Sequence, residues 1–253
     1  MKIWQAFVLG LIQGLSEFLP VSSSGHLLLA EKIGVGEPSL FFNVLLHVGT
    51  LLAVVIVLRK PLFELIRHPF QKKTLYLIIA SIPTACIALI FKFFAPSLLD
   101  GAMLAFGFML TSVSLFVSEK IIKKRNLPLN CPRALATGFF QGIAVLPGVS
   151  RSGMTISAML ALGVERDEAA EFSFLLSIPI ILASAAWETV EYVKVGGIIE
   201  AAPVAVGVIT AFVSGLIAVK AMLKIVKERS LIGFSIYTFL ISLATLALAY
   251  FKI

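Results

Sequence analysis

Charged residues are scarce in this chain. Only 14% of its 253 residues are Asp, Glu, Lys or Arg, whereas 59% are hydrophobic, and the mean hydropathy is +1.01. Because about a quarter of the residues in soluble domains are charged, this composition excludes an ordinary soluble domain. Cysteine is scarce as well: the chain has Cys86 and Cys131, which lie far apart and lack CxxC spacing. This argues against a disulfide framework, a redox motif or a zinc site.

Signals for nucleotides and nucleic acids are also missing. No GxxxxGK[ST] sequence occurs, and no GxGxxG follows a strand pattern. The net charge of +7 is carried by loops, and no basic stripe is interleaved with aromatic residues. We therefore expect no nucleic-acid partner.

The sequence is rich in long apolar runs. A helix crosses a hydrocarbon core of roughly 30 Å with about 20 apolar residues, and continuous runs of this kind exclude a barrel, whose short strands alternate in character. The sequence therefore predicts an all-α polytopic membrane protein with a single membrane domain over residues 1–253. Six crossings are predicted, near residues 40–58, 75–94, 102–119, 170–190, 203–223 and 231–251.

The basic residues predict the orientation of these crossings. They cluster in loops near residues 59–73, 120–133 and 220–229, which the positive-inside rule places in the cytoplasm. The three loops share one side only if two crossings separate each from the next, so residues 132–163 must enter and leave on the cytoplasmic side. Residues 1–33 are broken in the same way and are predicted to form a second re-entrant hairpin, which enters from the outside.

The tips of the two hairpins are similar in sequence. The stretch "QGLSEFLPVSSSG" begins at Gln13 and "QGIAVLPGVSRSG" begins at Gln141, and they share six of thirteen residues at an offset of 128. Each half is one hairpin and three crossings, and because three is odd the second half inserts the opposite way. This predicts an inverted repeat, with halves of about 1–125 and 130–253, and a binding site where the broken helices meet near the membrane midplane.

The tips concentrate the polar residues of the membrane domain. A charge at bilayer depth costs roughly 2.5–3.5 kcal/mol, so Glu17 and Arg151 are predicted to face each other or a ligand. Hydroxyl groups, a guanidinium and helix N-termini together favour an anion, and the arginine fork suits phosphate. The candidate residues are Gln13, Glu17, Ser22, Ser23, Ser24 and His26 in the first tip, and Ser150, Arg151, Ser152 and Thr155 in the second.

These residues leave several interpretations open. Histidine is a common general acid or base and serine a common nucleophile, so Ser23, His26 or an activated water could attack phosphorus. Glu17, with Gln13, could hold a hard divalent cation. The structural alternatives are that the serines only cap helices, that Glu17 and Arg151 form a structural ion pair, and that His26 is a satisfied core histidine.

Other polar residues in the apolar runs are predicted to lie outside the site. His47 is expected to form a helix–helix hydrogen bond. Glu171, Glu188 and Glu191 are expected near the ends of crossings, with Glu171 the one that approaches the site most closely.

Both motifs resemble those of a known family. The stretch "QGLSEFLPVSSSGH" resembles the (E/Q)xxxE and PVSSxGH signature of the undecaprenyl-diphosphate phosphatases, the bacitracin-resistance type of membrane phosphatase, and "PGVSRSGMT" resembles their PGxSRSxxT signature. The resemblance implies an enzyme that converts undecaprenyl diphosphate to the monophosphate carrier used for the cell wall. It also implies a divalent cation, Mg²⁺ or Ca²⁺, a homodimer, and a multi-pass location in the bacterial inner membrane.

The resemblance assigns roles to residues of the tips. Glu17, Ser23, His26 and Arg151 match the functional positions of the family, and Ser150 and Thr155 fall in its second motif. Gln13 stands at a position where the family has Glu or Gln, so metal binding would rest more on Glu17. The competing hypothesis is a transporter or flippase of an anionic lipid, because inverted repeats with broken helices are also the architecture of transporters.

Overall fold

Helices make up the fold. The computed structural model describes residues 1–36, 39–99, 101, 103–121, 126–195 and 200–251. These residues contain no strand, and their one isolated bridge joins Leu127 to Val164. Within them the chain forms a short 3-10 helix, Pro96–Leu98, and eleven α-helices: α1 (Ile3–Ser16), α2 (Ser23–Lys32), α3 (Leu40–Val57), α4 (Arg59–Arg67), α5 (Lys72–Phe94), α6 (Leu104–Ile121), α7 (Cys131–Ile143), α8 (Arg151–Ala161), α9 (Arg166–Val195), α10 (Ala201–Glu228) and α11 (Ile232–Tyr250).

A helix lies over each of the six predicted crossings. Within the described residues, α5, α9, α10 and α11 are long and apolar enough to span a membrane, and α3 makes a fifth span if it is counted with α4. The axes of α3 and α4 differ by 79°. Apolar side chains on the outer faces, such as those of Ile78, Ile209 and Leu240, are more than half exposed, as expected of surfaces that face lipid. The structure therefore supports an all-helical membrane protein with four or five spans.

Two helices that carry glycine at a spacing of four pack closely on long neighbours. Helix α1 packs on α10, and α7 packs on α5. A Cβ atom added at Gly10 would collide with the carbonyl oxygen of Gly207, and one added at Gly138 would collide with that of Ala80. Small residues at this spacing let helix backbones approach each other, which is how helices associate inside membranes.

Two pairs of short helices, α1 with α2 and α7 with α8, lie over the segments that are predicted to be hairpins. The Oγ atom of Ser22 accepts a hydrogen bond from the backbone N–H of Gly25 at 3.3 Å, and Ser150 Oγ accepts from Gly153 N at 3.1 Å. Both serines are N-caps, which is one of the interpretations that the sequence leaves open, and they start α2 and α8. At about 1.5 Å per residue, these helices of 10 and 11 residues are too short to cross a membrane.

Helix α8 lies in the core of the molecule. All of its residues from 152 to 160 are buried, which is the pattern of a helix packed on every side. It contacts α6, α7 and α9. Beside it, the rings of Phe18 and Phe174 pack edge to face with centroids 5.6 Å apart, which ties the first tip to α9. This packing fixes the N-terminus of α8, where Arg151 is the first residue.

Candidate active site

An ion pair joins the two tips. Glu17 follows the last residue of α1, and Arg151 opens α8. Arg151 Nη2 donates to Glu17 Oε1, and the two side chains are 18% and 1% exposed. A second link runs from Ser152 Oγ to the carbonyl oxygen of Leu19 at 3.1 Å. Of the two predicted arrangements, in which Glu17 and Arg151 face each other or a ligand, the structure has the first.

The other carboxylate oxygen of Glu17 is also engaged. Its Oε2 accepts hydrogen bonds from Gln13 Nε2 at 2.9 Å and from Ser23 Oγ at 2.6 Å. The Nδ1 atom of His47 lies 3.6 Å from the same oxygen, and Gln13 Nε2 contacts that Nδ1 at 2.9 Å. Charge-assisted hydrogen bonds of this kind offset the cost of burying a carboxylate, so Glu17 is the centre of a polar network.

A cavity of about 250 Å³ opens beside this network. Ser150, which caps α8, and Arg151, the first residue of that helix, line this cavity, so the N-terminus of a helix and a positively charged residue border one space. This arrangement favours a bound anion. Apolar residues, including Val44, Val145 and Ile181, complete the wall. The polar lining residues are Ser16, Glu17, Ser22, Ser23, Ser24, His47, Thr84, Gln141, Ser150, Arg151, Ser184 and Glu188.

Several buried polar atoms at the site have no hydrogen-bond partner among the described residues. They are the carbonyl oxygens of Gln13 and Gln141 and the Nη1 atom of Arg151. Such atoms are uncommon in folded proteins and call for a functional or structural explanation. The pairing of Arg151 with Glu17 therefore leaves the Nη1 atom of the guanidinium without a partner.

The side chain of His26 does not contact Glu17 or the cavity, unlike that of Ser23. Its Nδ1 atom contacts the carbonyl oxygen of Ser22 at 2.7 Å, and its Nε2 atom contacts the hydroxyl of Tyr237 at 2.8 Å. It does not line the cavity. Ser23 and His26 share one face of α2, as expected from their spacing, but Ser23 bonds to Glu17 and no hydrogen bond joins Ser23 to His26.

Comparison with known proteins identifies a family. The model of the family described as "BacA: Bacitracin resistance protein BacA" matches residues 6–244. This chain belongs to that family. It is 41% identical to the undecaprenyl-diphosphatase of Carboxydothermus hydrogenoformans, with 98% of each chain covered. It is 39% identical to that of Christiangramia forsetii, with 99% of each covered. It is 36% identical to that of Korarchaeum cryptofilum, with 98% of this chain and 100% of the relative covered.

The remaining candidate residues of this BacA family member divide into two groups. Ser22, Ser24 and Ser150 line the cavity. Ser152 and Thr155 do not: Ser152 bonds across to the first tip, and the hydroxyl of Thr155 contacts Arg151 O at 2.9 Å and Ser173 Oγ at 2.5 Å. The hydrogen bonds of Ser152 and Thr155 therefore fix the position of the second tip relative to its neighbours.

Sequence reasoning gave two cavity residues of this BacA chain too little weight. His47 bonds to Gln13 on α1, as the predicted helix–helix contact requires, but it also lines the cavity. The expectation for Glu171 is wrong, because it pairs with Lys73 and Glu188, nearly five turns further along α9, lines the cavity instead. An ionisable residue inside an apolar run was the available signal, but the run does not show which face of the helix meets the tips.

Glu17 and Gln13 are the candidate ligands for the divalent cation that the family resemblance implies. No group of three or more His, Cys, Asp or Glu side chains forms a metal cluster in the described part of the chain. Mg²⁺, however, is commonly held by one or two carboxylates together with waters and substrate phosphates. Glu17 supplies a carboxylate, and the unpartnered carbonyl oxygen of Gln13 supplies a hard ligand.

Proposed function

We propose that this chain is an undecaprenyl-diphosphatase, which hydrolyses undecaprenyl diphosphate to undecaprenyl phosphate and so recycles the lipid carrier of cell-wall synthesis. Its membership of the BacA family and its relatives named undecaprenyl-diphosphatase support this function. The structural observation that carries the proposal is the pair of Glu17 and Arg151. It joins the two tips beside a cavity, with the hydroxyl of Ser23 bonded to the same carboxylate.

In this proposal the diphosphate binds at the N-terminus of α8. The guanidinium of Arg151 has a free Nη1, and its planar fork matches phosphate oxygens. Ser22, Ser24 and Ser150 supply hydroxyls around the same cavity. The prenyl chain stays in the lipid. Because the charge on the phosphate oxygens shifts during transfer, groups fixed in advance at the site stabilise the transition state.

Ser23 is the nucleophile that the geometry favours. It lines the cavity and donates a hydrogen bond to Glu17 Oε2 at 2.6 Å, whereas His26 is turned away from that cavity. The Ser23 Oγ–P bond forms as the P–O bond of the anhydride breaks, the proton of Ser23 passes to Glu17, and undecaprenyl phosphate leaves. Water then cleaves the phosphoserine and releases inorganic phosphate.

A divalent cation, Mg²⁺ or Ca²⁺, is part of the proposal. Glu17 and the carbonyl oxygen of Gln13 are the groups of this chain that would hold it. When bound, the cation neutralises negative charge on the phosphate oxygens.

A carrier or flippase is the less favoured alternative. It would use Arg151 and the hydroxyls equally well, but it has no need of a serine hydroxyl held against a carboxylate. The names of the relatives also describe hydrolysis rather than transport.

An inverted repeat with two re-entrant hairpins is the architecture that we propose for this activity. The offset of 128 residues that relates the tips also relates Gly10 to Gly138 and Gly14 to Gly142. These glycines lie at helix contacts of the same kind, α1 on α10 and α7 on α5. The two cap serines, Ser22 and Ser150, are related by that offset as well. The hairpins then insert from opposite faces and meet at the Glu17–Arg151 pair.

The family resemblance also supports a bacterial inner-membrane location and a homodimer. Apolar outer faces on the long helices agree with a membrane setting. We propose both as the context of the enzyme, with the lipid bilayer as the source of its substrate.

Phosphate release by the purified chain tests the proposal. We expect it to hydrolyse undecaprenyl diphosphate in detergent with Mg²⁺. Arg151→Ala should lower turnover by at least about a hundredfold, since a lost donor to developing charge costs this much in other enzymes.

A second experiment tests the nucleophile. Radiolabelled terminal phosphate should be trapped on the wild-type protein after rapid acid quench, and this label should be lost in Ser23→Ala. Ser81→Ala, which removes a hydroxyl bonded within α5, is the matched control and should keep both signals. Normal turnover by Arg151→Ala would exclude the proposed phosphate site, and label retained by Ser23→Ala would exclude Ser23 as the nucleophile.

A further inference from the structure

The imidazole of His26 lies between two aromatic rings that come from distant helices. The ring of Phe108, on α6, meets it edge to face, with centroids 5.3 Å apart. The ring of Tyr237, on α11, lies nearly parallel to it, at 5° and 5.7 Å between centroids. Tyr237 is 211 residues away in the chain, so no local motif brings it to the first tip.

The two hydrogen bonds of His26 define its tautomer. The carbonyl oxygen of Ser22 can only accept, so the Nδ1 atom that lies 2.7 Å from it must carry a proton. In the neutral imidazole Nε2 is then an acceptor, and the hydroxyl of Tyr237 donates to it across 2.8 Å. If Nε2 gains a proton, the oxygen of Tyr237 can accept it in a hydrogen bond. The tyrosine therefore holds the ring in both protonation states.

The backbone conformation of Ser22 gives the orientation of the His26 ring a structural consequence. Ser22 has φ of +72°, in the left-handed region that residues other than glycine rarely adopt. Its carbonyl accepts from His26 Nδ1, and the next residue, Ser23, points its hydroxyl at Glu17. The orientation of Ser23 thus depends on a disfavoured backbone conformation that the imidazole helps to hold.

We propose that Tyr237 is a positioning residue of the active site, whose hydroxyl holds His26 in its Nδ1–H tautomer and, through the Ser22 carbonyl, keeps Ser23 directed at Glu17. The proposal rests on the proposed function for its catalytic consequence, but the state of His26 is a structural property that can be measured separately.

The packing of α11 on α6 gives Tyr237 a fixed position. Ser112 Oγ donates to Ser235 O at 2.8 Å, and Ser235 Oγ donates to Ser112 O at 2.8 Å. Further along, Ser242 Oγ donates to Ala105 O at 2.7 Å. Tyr237 lies between these two contacts. A side chain on a regular helix that interhelical contacts fix on both sides can place a catalytic group more accurately than one on a loop.

Nuclear magnetic resonance of ring-¹⁵N-labelled histidine tests the placement directly. The chain has three histidines, and His26→Gln identifies the signals of His26. The experiment uses the full chain in detergent at a pH of about 8, where an ordinary imidazole is neutral. We expect a protonated Nδ1 and a hydrogen-bonded Nε2 in the wild type. In Tyr237→Phe, which keeps the ring but removes the hydroxyl, the Nε2 signal should move to that of an acceptor without a partner. Tyr250→Phe, at the exposed end of the same helix, should leave it unchanged.

The kinetic arm measures whether this placement matters for hydrolysis. Tyr237→Phe should lower kcat about tenfold and leave KM within about twofold, in line with the loss of other residues that orient a functional histidine. In a His26→Ala background, Tyr237→Phe should cause no further loss. A full second loss there would overturn the proposed route through His26.

The two arms separate failure of this inference from failure of the proposed function. An Nε2 signal that is the same in the wild type and in Tyr237→Phe overturns the positioning role, whatever the activity. A wild-type chain that releases no phosphate from any prenyl diphosphate refutes the proposed function, and the ¹⁵N signals then still decide whether Tyr237 holds His26.

Discussion

At the scale of single residues, Glu17 determines how the site is organised. One carboxylate, almost completely buried, contacts Arg151, Gln13, Ser23 and His47. Removing one partner of a buried ion pair typically costs about 3–5 kcal/mol, because it leaves the other charge uncompensated. Substitutions at Glu17 or Arg151 therefore affect stability as well as catalysis, and folding must be measured beside activity for each variant.

His47 offers a cleaner test of the network, because it contacts Glu17 only at its edge. The Nδ1 atom of His47 accepts from the amide nitrogen of Gln13, which donates to Glu17 as well. We expect His47→Ala to lower kcat about tenfold, because Gln13 loses the group that orients its amide. His47→Gln should restore part of the loss, since an amide oxygen can accept the same hydrogen bond.

Phosphate release from undecaprenyl diphosphate measures this effect of His47. The control is His68→Ala, which changes an exposed histidine between α4 and α5. Equal turnover by His47→Ala and His68→Ala would show that the network does not depend on His47.

The residues of the two motifs were predictable from the sequence, whereas their partners were not. A charge in an apolar run points to a site, which is why Glu17 and Arg151 could be paired in advance. His47 and Tyr237 contact the first tip, and Glu188 lines the cavity, through the packing of α3, α11 and α9. That packing depends on which helix face meets which neighbour, and an apolar run with residues of similar hydropathy on all faces does not specify it.

At the scale of helices, glycines at a spacing of four set how closely α1 approaches α10 and α7 approaches α5. We expect Gly138→Ala to push α7 away from α5, because its Cβ would collide with backbone of Ala80. Overpacking of this kind costs about 1–3 kcal/mol, which corresponds to a fall of roughly 5 °C in the midpoint of thermal unfolding. The measurement is unfolding in detergent, followed by loss of helical circular dichroism.

Gly233→Ala is the matched control for this packing contact. Nothing lies within 4 Å of a Cβ atom added at Gly233, near the start of α11. Its midpoint should stay close to that of the wild type. If Gly138→Ala and Gly233→Ala unfolded at the same temperature, close packing of α7 on α5 would not contribute to stability.

Helix positions were more predictable than helix directions. Each predicted crossing coincides with a helix, and the broken segments coincide with α1 and α2 and with α7 and α8. The sequence does not predict α4, because "RKPLFELIR" is rich in basic residues, which is typical of a loop between crossings. The bend of 79° before it is a tertiary feature, for which hydrophobic periodicity gives no signal.

At the scale of the whole molecule, the question is how two chain segments from opposite halves come to share one site. The Glu17–Arg151 pair spans 134 residues. Neither tip alone holds both the carboxylate with its serine and the guanidinium at a helix N-terminus. Hydrolysis therefore requires both halves to be inserted correctly, and orientation in the membrane is the property to test.

The proposed inverted repeat predicts that the outer ends of α2 and α8 lie on opposite sides of the membrane. Lys32 ends α2 and Leu162 follows α8, and both side chains are exposed. Leu162 lies next to Arg133, which donates to its carbonyl at 3.3 Å, so the positive-inside rule places it in the cytoplasm. In a Cys86→Ala, Cys131→Ala background, a membrane-impermeant maleimide should label Lys32→Cys in intact cells. The same reagent should label Leu162→Cys only after the membrane is made permeable. Labelling of both positions from the same side would contradict the inverted insertion of the two hairpins, and the shared site would then need a different topology to bring Glu17 to Arg151.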